Sequence, residues 1–395
     1  MTTPSLSRSG GQGFGTLSYA RSRLYLGISG VGTAVVAAAC LLAFDIPQIG
    51  FATTTAPSVG RSLFAVGIFF AMTSALFFLF DLLGGAWVVR RRDDAPLWLA
   101  VWVRGVFVQW LVWMATAAAL MTTARAAGGA ATLAVFVGIQ LVLAALRGPF
   151  ARLIAPFTTH APSPVFVEAA ERAGLDVRRL RVVDTADEGF VGGWSGILPR
   201  TLVVPRRWEQ LPADALAAQL TRRRLVAESG AHLRGVLGAI VWNAVGFVVV
   251  QQWSGSTPAT AAGLVTLMAG MTLWAFLGVL LLPTPSRAAV YAADAAAAGH
   301  VGAAAVMTSI ERLDRWQDDE PTRTPTIERI FHPVPARAHR LARLQREAPA
   351  GLGAMHAHHL ARHALWLGWG GFSAISRAVH CNVGRTALWA MLPGD

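Results

Sequence analysis

The 395-residue sequence contains no lysine, so its 34 basic residues are all arginine, and only 14% of its residues are charged. It has two cysteines, Cys40 inside an apolar run and Cys381 near the end. Two cysteines give no disulfide framework and no cysteine-based zinc spacing. "AAAC" at Ala37–Cys40 is a poor lipobox, because it lacks the usual Leu or Val three places before the cysteine. No GxSxG, P-loop or GxGxxG opens a helix after a strand, and the Gly-rich stretch Gly189–Gly196 precedes a strand instead. No basic stripe with interleaved aromatics appears, so the net charge of +12 does not point to a nucleic-acid partner.

What the chain does have is apolar length. Hydrophobic residues make up 54%, an average reached by chains with membrane spans. A helix needs about 20 mostly apolar residues to cross the hydrocarbon core. Four early runs approach or exceed this: Leu24–Phe44, Leu63–Val89, Leu97–Met121 and the shorter Ala131–Leu146. Two later ones, Val236–Gln251 and Ala261–Leu282, are joined by the uncharged turn "WSGSTPAT". The first run has no convincing cleavage site and reads as a signal anchor. Arginines orient the spans. Arg8, Arg21, Arg23, Arg90–Arg92, Arg147, Arg152, Arg222–Arg224, Arg234 and Arg287 fall on one set of flanks, while the other connections hold only Arg61 and Arg125. The expected topology is six spans with the N-terminus and the polar regions in the cytoplasm, in the cell membrane.

Asp81 and Arg104 lie inside the second and third runs, where charge is costly and normally paired or facing a cavity. At about 1.5 Å per residue, each sits about 10–12 Å from the cytoplasmic ends. Matching depths on antiparallel neighbours predict that they pair, as a salt bridge fixing helix packing or as a proton or substrate path.

Between the fourth and fifth runs the sequence reads as a small α/β unit. "SPVFVEAAERAG" is a capped helix ending in Gly, "VRRLRVVDT" and "RTLVVP" read as strands, and "LPADALAAQLTRRRLVAESGAH" starts as a helix. Beyond the sixth run, one helix is expected across "SRAAVYAADAAAAGHVGAAAVMTSIERLDRW". An acidic loop, "QDDEPTRTPT", and a turn with a basic helix, "IFHPVPARAHRLARL", follow it.

This order of landmarks resembles the integral-membrane zinc metallopeptidases that include the HtpX heat-shock protease and the CAAX prenyl protease. "GFVGGWSGILPRTLVVPRRWEQL" resembles that family's Asn-Ala-Phe–Gly loop, edge strand and turn, and "LPADALAAQL" the lead-in to its zinc helix. "SRAAVYAAD" is similar to its Ser-Arg-x-x-Glu-x-x-x-Asp segment, and "FHPVPARAHRL" to its His-Pro-x-x-x-x-Arg turn. The likeness covers Pro164–Leu344 and implies a mainly α, polytopic fold with a split, zincin-like α+β domain. The implied parts are a four-span region (1–150), a first half-domain (151–234), a two-span hairpin (235–283), a second half-domain (284–350) and a His-rich, aromatic tail (351–395).

The resemblance places the first zinc histidine at Arg222, the general-base glutamate at Arg223, the second histidine at Val226 and the third ligand at Val290, leaving only the trailing acid, Asp294. Guanidinium has no lone pair for a cation, and valine has no donor atom. On this register no cofactor is expected, and Arg222 and Arg223 are expected to pair with Asp294. The implied role is a pseudoprotease of membrane protein quality control, whose partners are the bilayer and either membrane or unfolded clients or another protease. Peptide capture by β-strand addition at the edge strand stays open to it. Two alternatives remain. A zinc peptidase with non-standard ligands would use Glu228, His232 and Asp294, with His300 near; a transporter or ion pathway would use Asp81 and Arg104. "HAHHLARH" puts His359 and His363 at ligand spacing with His356 nearby, but without a glutamate it reads as a solvated helix. "ALWLGWGGFSAISRAV" is too short to span and reads as interfacial.

Overall fold

The computed structural model describes residues 18–51, 58–89, 95–154, 157–185, 189–198, 201–317, 320–346, 352–368, 376–377, 379 and 382–390. Five of its helices are long and apolar enough to cross a membrane. α1 (Tyr19–Ala43) begins where the Ser18 hydroxyl accepts from the Arg21 N–H at 3.3 Å. After the one-turn α2 (Ile46–Gly50), α3 (Val59–Leu82) begins in the same way on Ser58, and it continues as a π-helical segment, Leu83–Val89.

α4 (Ala95–Ala145) is long enough for two crossings and is broken at Gly128, whose φ of +77° and ψ of −167° suit only glycine. The chain folds back there. Arg104, before the break, donates from Nε to the Leu153 carbonyl at 2.6 Å, in α5 (Arg147–Ile154) beyond it. Trp113, Leu120 and Met121 of the first leg share a core with Phe136 of the second. The third and fourth apolar runs are therefore the two legs of one hairpin.

α8 (Ala231–Ser254) and α9 (Ala261–Leu281) form the later hairpin. A Cβ on Gly246 would overlap the Trp274 ring, and one on Gly270 the Val250 side chain, so these glycines let the helices approach closely. Along the spans, Phe64, Met72, Leu79, Phe107, Val241 and Trp253 are exposed. Large apolar side chains turned outward on long helices fit a hydrocarbon solvent. The protein is a multi-pass, mainly α membrane protein.

The polar region is built on a four-stranded sheet: β1 (Thr158–His160), β2 (Leu180–Asp184), β3 (Gly193–Ser195) and β4 (Thr201–Pro205), in the order β1-β2-β4-β3. β2 and β4 run parallel, and the outer pairs run antiparallel. The strand read from "RTLVVP", β4, is therefore internal, and the edge belongs to the short "GWS". α6 (Pro164–Arg172) buries Phe166, Ala169 and Ala170 on one face against Leu180, Val182, Leu202 and Val204. α7 (Ala213–Glu228) covers the same core with Leu216 and Leu220.

The expected single helix after the hairpin breaks at Gly302, whose φ is +86°, into α10 (Pro283–Val301) and α11 (Ala303–Gln317). α12 (Pro325–Phe331) and α13 (Arg337–Gln345) follow. Ala218 and Leu225 of α7 share a core with Ala297, Val306, Ile310 and Leu344, so the segments on either side of the α8–α9 hairpin pack as one unit.

The C-terminal segment departs from its reading as a solvated and interfacial tail. His358 and His363 are buried, and α14 (Leu360–Leu367) packs Ala361, Ala364, Trp366 and Leu367 into the core at the base of the spans. Val383 sits with Leu26 and Val88, and the short α15 (Ala387–Ala390) buries Leu388 and Trp389. Residues 369–375 of the expected interfacial helix lie outside the described residues.

Candidate functional site

α7 and α10 pack together through small side chains: Ala218 shares a core with Ala297, and Val226 with Ala292 and Ala293. That close approach brings Arg222 to Asp294. Arg222 Nε donates to Asp294 Oδ1 at 2.7 Å, and both side chains are at most 2% exposed. Arg340, from α13, completes the cluster: its Nε donates to Oδ2 and its Nη2 to Oδ1, both at 2.8 Å. The fork of Arg340 thus spans the carboxylate while Arg222 approaches from the side. Burial alone raises the Asp294 pKa, but the guanidiniums of Arg340 and Arg222 outweigh it and hold the carboxyl below its ordinary value.

Of the two arginines expected to reach Asp294, Arg222 does. Arg223 turns the other way, beneath the sheet. Its Nη2 lies 3.4 Å from the Val191 carbonyl, its guanidinium 5.9 Å from the Trp208 ring, and its backbone carbonyl accepts from Trp194 Nε1 at 2.8 Å. Val226 and Val290 are each 1% exposed; Val226 packs with Ala231, Ala292, Ala293 and Met355. A divalent cation does not fit this donor set. Two guanidiniums and two isopropyl groups supply no lone pair, and both Asp294 oxygens already accept from arginine.

The alternative ligands do not assemble. Glu228 lies on the outer face of α7 and pairs with Arg224 at 3.3 Å. His232 Nε2 is 2.9 Å from the Gly196 carbonyl, a contact that needs its proton there, and His300 Nδ1 bonds its own helix at Ala296. Among the described residues no three His, Cys, Asp or Glu side chains gather where they could hold a metal.

The expected Asp81–Arg104 pair does not form. Arg104 is exposed and caps backbone carbonyls of α5, Leu153 at 2.6 Å and Arg152 at 3.2 Å. Asp81 is instead claimed by Arg377 of the C-terminal segment, through Nε at 2.8 Å and through Nη2. Trp102 Nε1 and the Gly384 N–H, each at 3.0 Å, also donate to Asp81. Arg377 further donates to Gln109 at 2.9 Å and lies over the Trp389 ring. Depth along the helices was the right signal for Asp81, but its partner is 296 residues away.

Arg340 and Arg377 were the residues that sequence reading missed. The basic helix of "FHPVPARAHRL" pointed to the region of Arg340, but not to its carboxylate. Beside the Asp294 cluster opens a cleft lined by residues that include Gln219, Ile310, Phe331, Arg340 and Arg362. It reaches Arg23 of α1 and Val279 of α9, so it runs from the polar unit into the bundle.

No known family profile matches the chain, and no curated protein matches it in sequence. The fold is similar to that of Ste24p from S. mikatae in its crystal structure, with a TM-score of 0.64 at 14% identity over 82% of this chain and 86% of that one. At this identity the likeness is one of fold.

Proposed function

We propose that this protein is a non-catalytic relative of the membrane metallopeptidases. On this reading it is a pseudoprotease of membrane protein quality control, lying in the cell membrane with its polar unit in the cytoplasm. It holds membrane or unfolded clients, or a partner protease, in the large cleft beside the Asp294 cluster without cutting them. The observation that carries the reading is the pairing of Arg222 and Arg340 with Asp294. Where the resemblance puts two histidines, a glutamate and a third ligand, the chain has permanent positive charge and hydrocarbon. A protonated guanidinium at Arg223 cannot take a proton from water, so the general-base step has no agent.

Client holding draws support from the cleft, whose wall combines apolar residues such as Ile310 and Phe331 with arginines. The edge strand Gly193–Ser195 offers backbone groups to an added strand. The transporter reading loses its proposed route because Asp81 and Arg104 serve separate parts of the fold.

The test uses full-length protein in detergent with fluorescently labelled, denatured casein. The expected outcome is saturable binding by anisotropy and an intact casein band after prolonged incubation with added zinc. Cleavage that stops on adding 1,10-phenanthroline would overturn the proposal.

A further inference from the structure

α14 is seated on the bundle by contacts of three kinds. Asn243 Nδ2 of α8 donates to the Ala364 carbonyl at 3.1 Å, and the Ser286 hydroxyl of α10 accepts from the Ala361 N–H at 3.2 Å. Gly235 gives the close approach, since a Cβ there would overlap the His358 carbonyl oxygen. The third contact is between rings. His363 of α14 meets His232, the second residue of α8, edge to face with ring centres 5.4 Å apart. Both residues are 3% exposed. His232 Nε2 donates to the Gly196 carbonyl at 2.9 Å, whereas His363 Nε2 has no hydrogen-bond partner among the described residues.

Of these contacts only the ring pair titrates near neutrality. Neutral imidazoles pack as small aromatic rings, but protonation turns the pair into two cations 5.4 Å apart, nearly out of water. An imidazolium at His363 would also leave its Nε2–H unbonded. Among the described residues, the other charged or titratable groups facing the pair are Arg147 of α5, Arg223 of α7, and Arg362, His358 and His359 of the C-terminal segment. None of them is an acid. Burial first, then Arg147, His232, His359 and His358, hold His363 well below the ordinary histidine value of 6.5. A group lowered in this way costs nothing above pH 6.5 and withdraws stability as pH falls from there.

We infer that His232 and His363 make the seating of the C-terminal segment acid-sensitive, so that protonating them frees α14 from α8. The released state takes up protons that the seated state refuses, and that difference drives the release. Ala361 and Leu365 of α14 also line the large cleft, so release opens that wall of it. The hydrogen bonds from Asn243 and to Ser286 do not change with pH in this range. The Asp294 cluster responds only at more acid pH, because its carboxyl is held below the ordinary 3.8. Nothing in this device depends on whether the protein cuts peptides.

Hydrogen exchange by mass spectrometry tests this on the full-length protein in nanodiscs, at about pH 7.5 and about pH 5.5, corrected for the intrinsic exchange rate. Protection at Leu360–Leu367 is expected to fall about tenfold for each of the two histidines, the ratio that an ordinary value near 6.5 gives over that interval. α6, packed in the sheet core, keeps its protection. His363→Leu fills the site without a titrating group, and His232→Gln keeps a donor for Gly196; each is expected to remove about tenfold of the fall. Unchanged protection of α14 at the lower pH, an equal loss in α6, or an undiminished fall in either variant would overturn the inference. Should the variants fail to fold, the parent's contrast between α14 and α6 decides alone.

Discussion

Asp294 is one carboxylate between two arginines, nearly out of water. Removing its charge takes the shared carboxylate away from the buried Arg222 and the half-buried Arg340, a change of about 3–5 kcal/mol for a broken buried pair. Asp294→Asn is expected to lower the melting temperature more than Arg222→Met does, because Arg340 still serves the carboxylate in the arginine variant. The pH dependence has a definite sign. The folded pKa lies below the ordinary 3.8, so the stabilisation is complete above that value and drains away as pH falls from there through the folded pKa. The gap between the parent and Asp294→Asn should stay constant near neutrality and shrink on acidification below about pH 4, read by melting curves across pH. A gap that widens with acid would contradict the pairing.

The intramembrane carboxylate Asp81 likewise depends on an arginine, Arg377. Asp81→Asn and Arg377→Gln should each destabilise by a few kcal/mol, with the double variant less damaged than the sum of the two. Asp81→Asn combined with Arg104→Gln should be additive, since the latter caps only backbone carbonyls. Melting temperatures of the four-member cycles separate these outcomes. At this scale the sequence was half legible. It marked Asp81 and Asp294 as residues needing partners and supplied Arg222. It could not supply Arg340 or Arg377, because charge and depth name a need, whereas only the folded chain brings a donor 46 or 296 residues away.

Among the elements, the apolar runs were the easiest to read, because crossing a bilayer fixes both length and composition. What lay beyond pattern was the way elements meet. Gly128 turns one long helix into two legs, a role that nothing in "RAAGGAATL" distinguishes from an ordinary small-residue stretch. The glycine pair Gly84–Gly85 in the π-helical segment receives the turn at Val383–Gly384. A Cβ on Gly85 would overlap Trp98 Nε1 and the Gly384 carbonyl oxygen, which bond each other at 2.8 Å. Gly85→Ala is therefore expected to dislodge the C-terminal turn and lower the melting temperature, while Gly129→Ala, with open space around it, has little effect. The order of strands was not legible either, since the strength of the β pattern in "RTLVVP" says nothing of its place in the sheet. The stronger strand became the inner one, paired on both sides, and three residues of "GWS" took the edge.

For the whole molecule, outward-facing apolar side chains on the spans and a split polar unit at one end account for the polytopic architecture. The C-terminal segment binds that architecture together: Arg377, Asn382, Val383 and Trp389 are buried among the spans rather than trailing from them. A run of histidines without a glutamate made part of that segment look solvated, since composition reports exposure only where nothing else covers the residues. The account as a whole depends on Arg222, Arg223, Val226 and Val290 occupying the positions of a lost metal centre. The most direct test is the zinc-to-protein ratio, by plasma mass spectrometry, of the parent chain and of a variant carrying Arg222→His, Arg223→Glu, Val226→His and Val290→Glu. The prediction is no stoichiometric zinc in the parent and about one zinc per chain in the variant, the number its restored ligand set would hold. One zinc per parent chain, or a folded variant that takes up none, would contradict it.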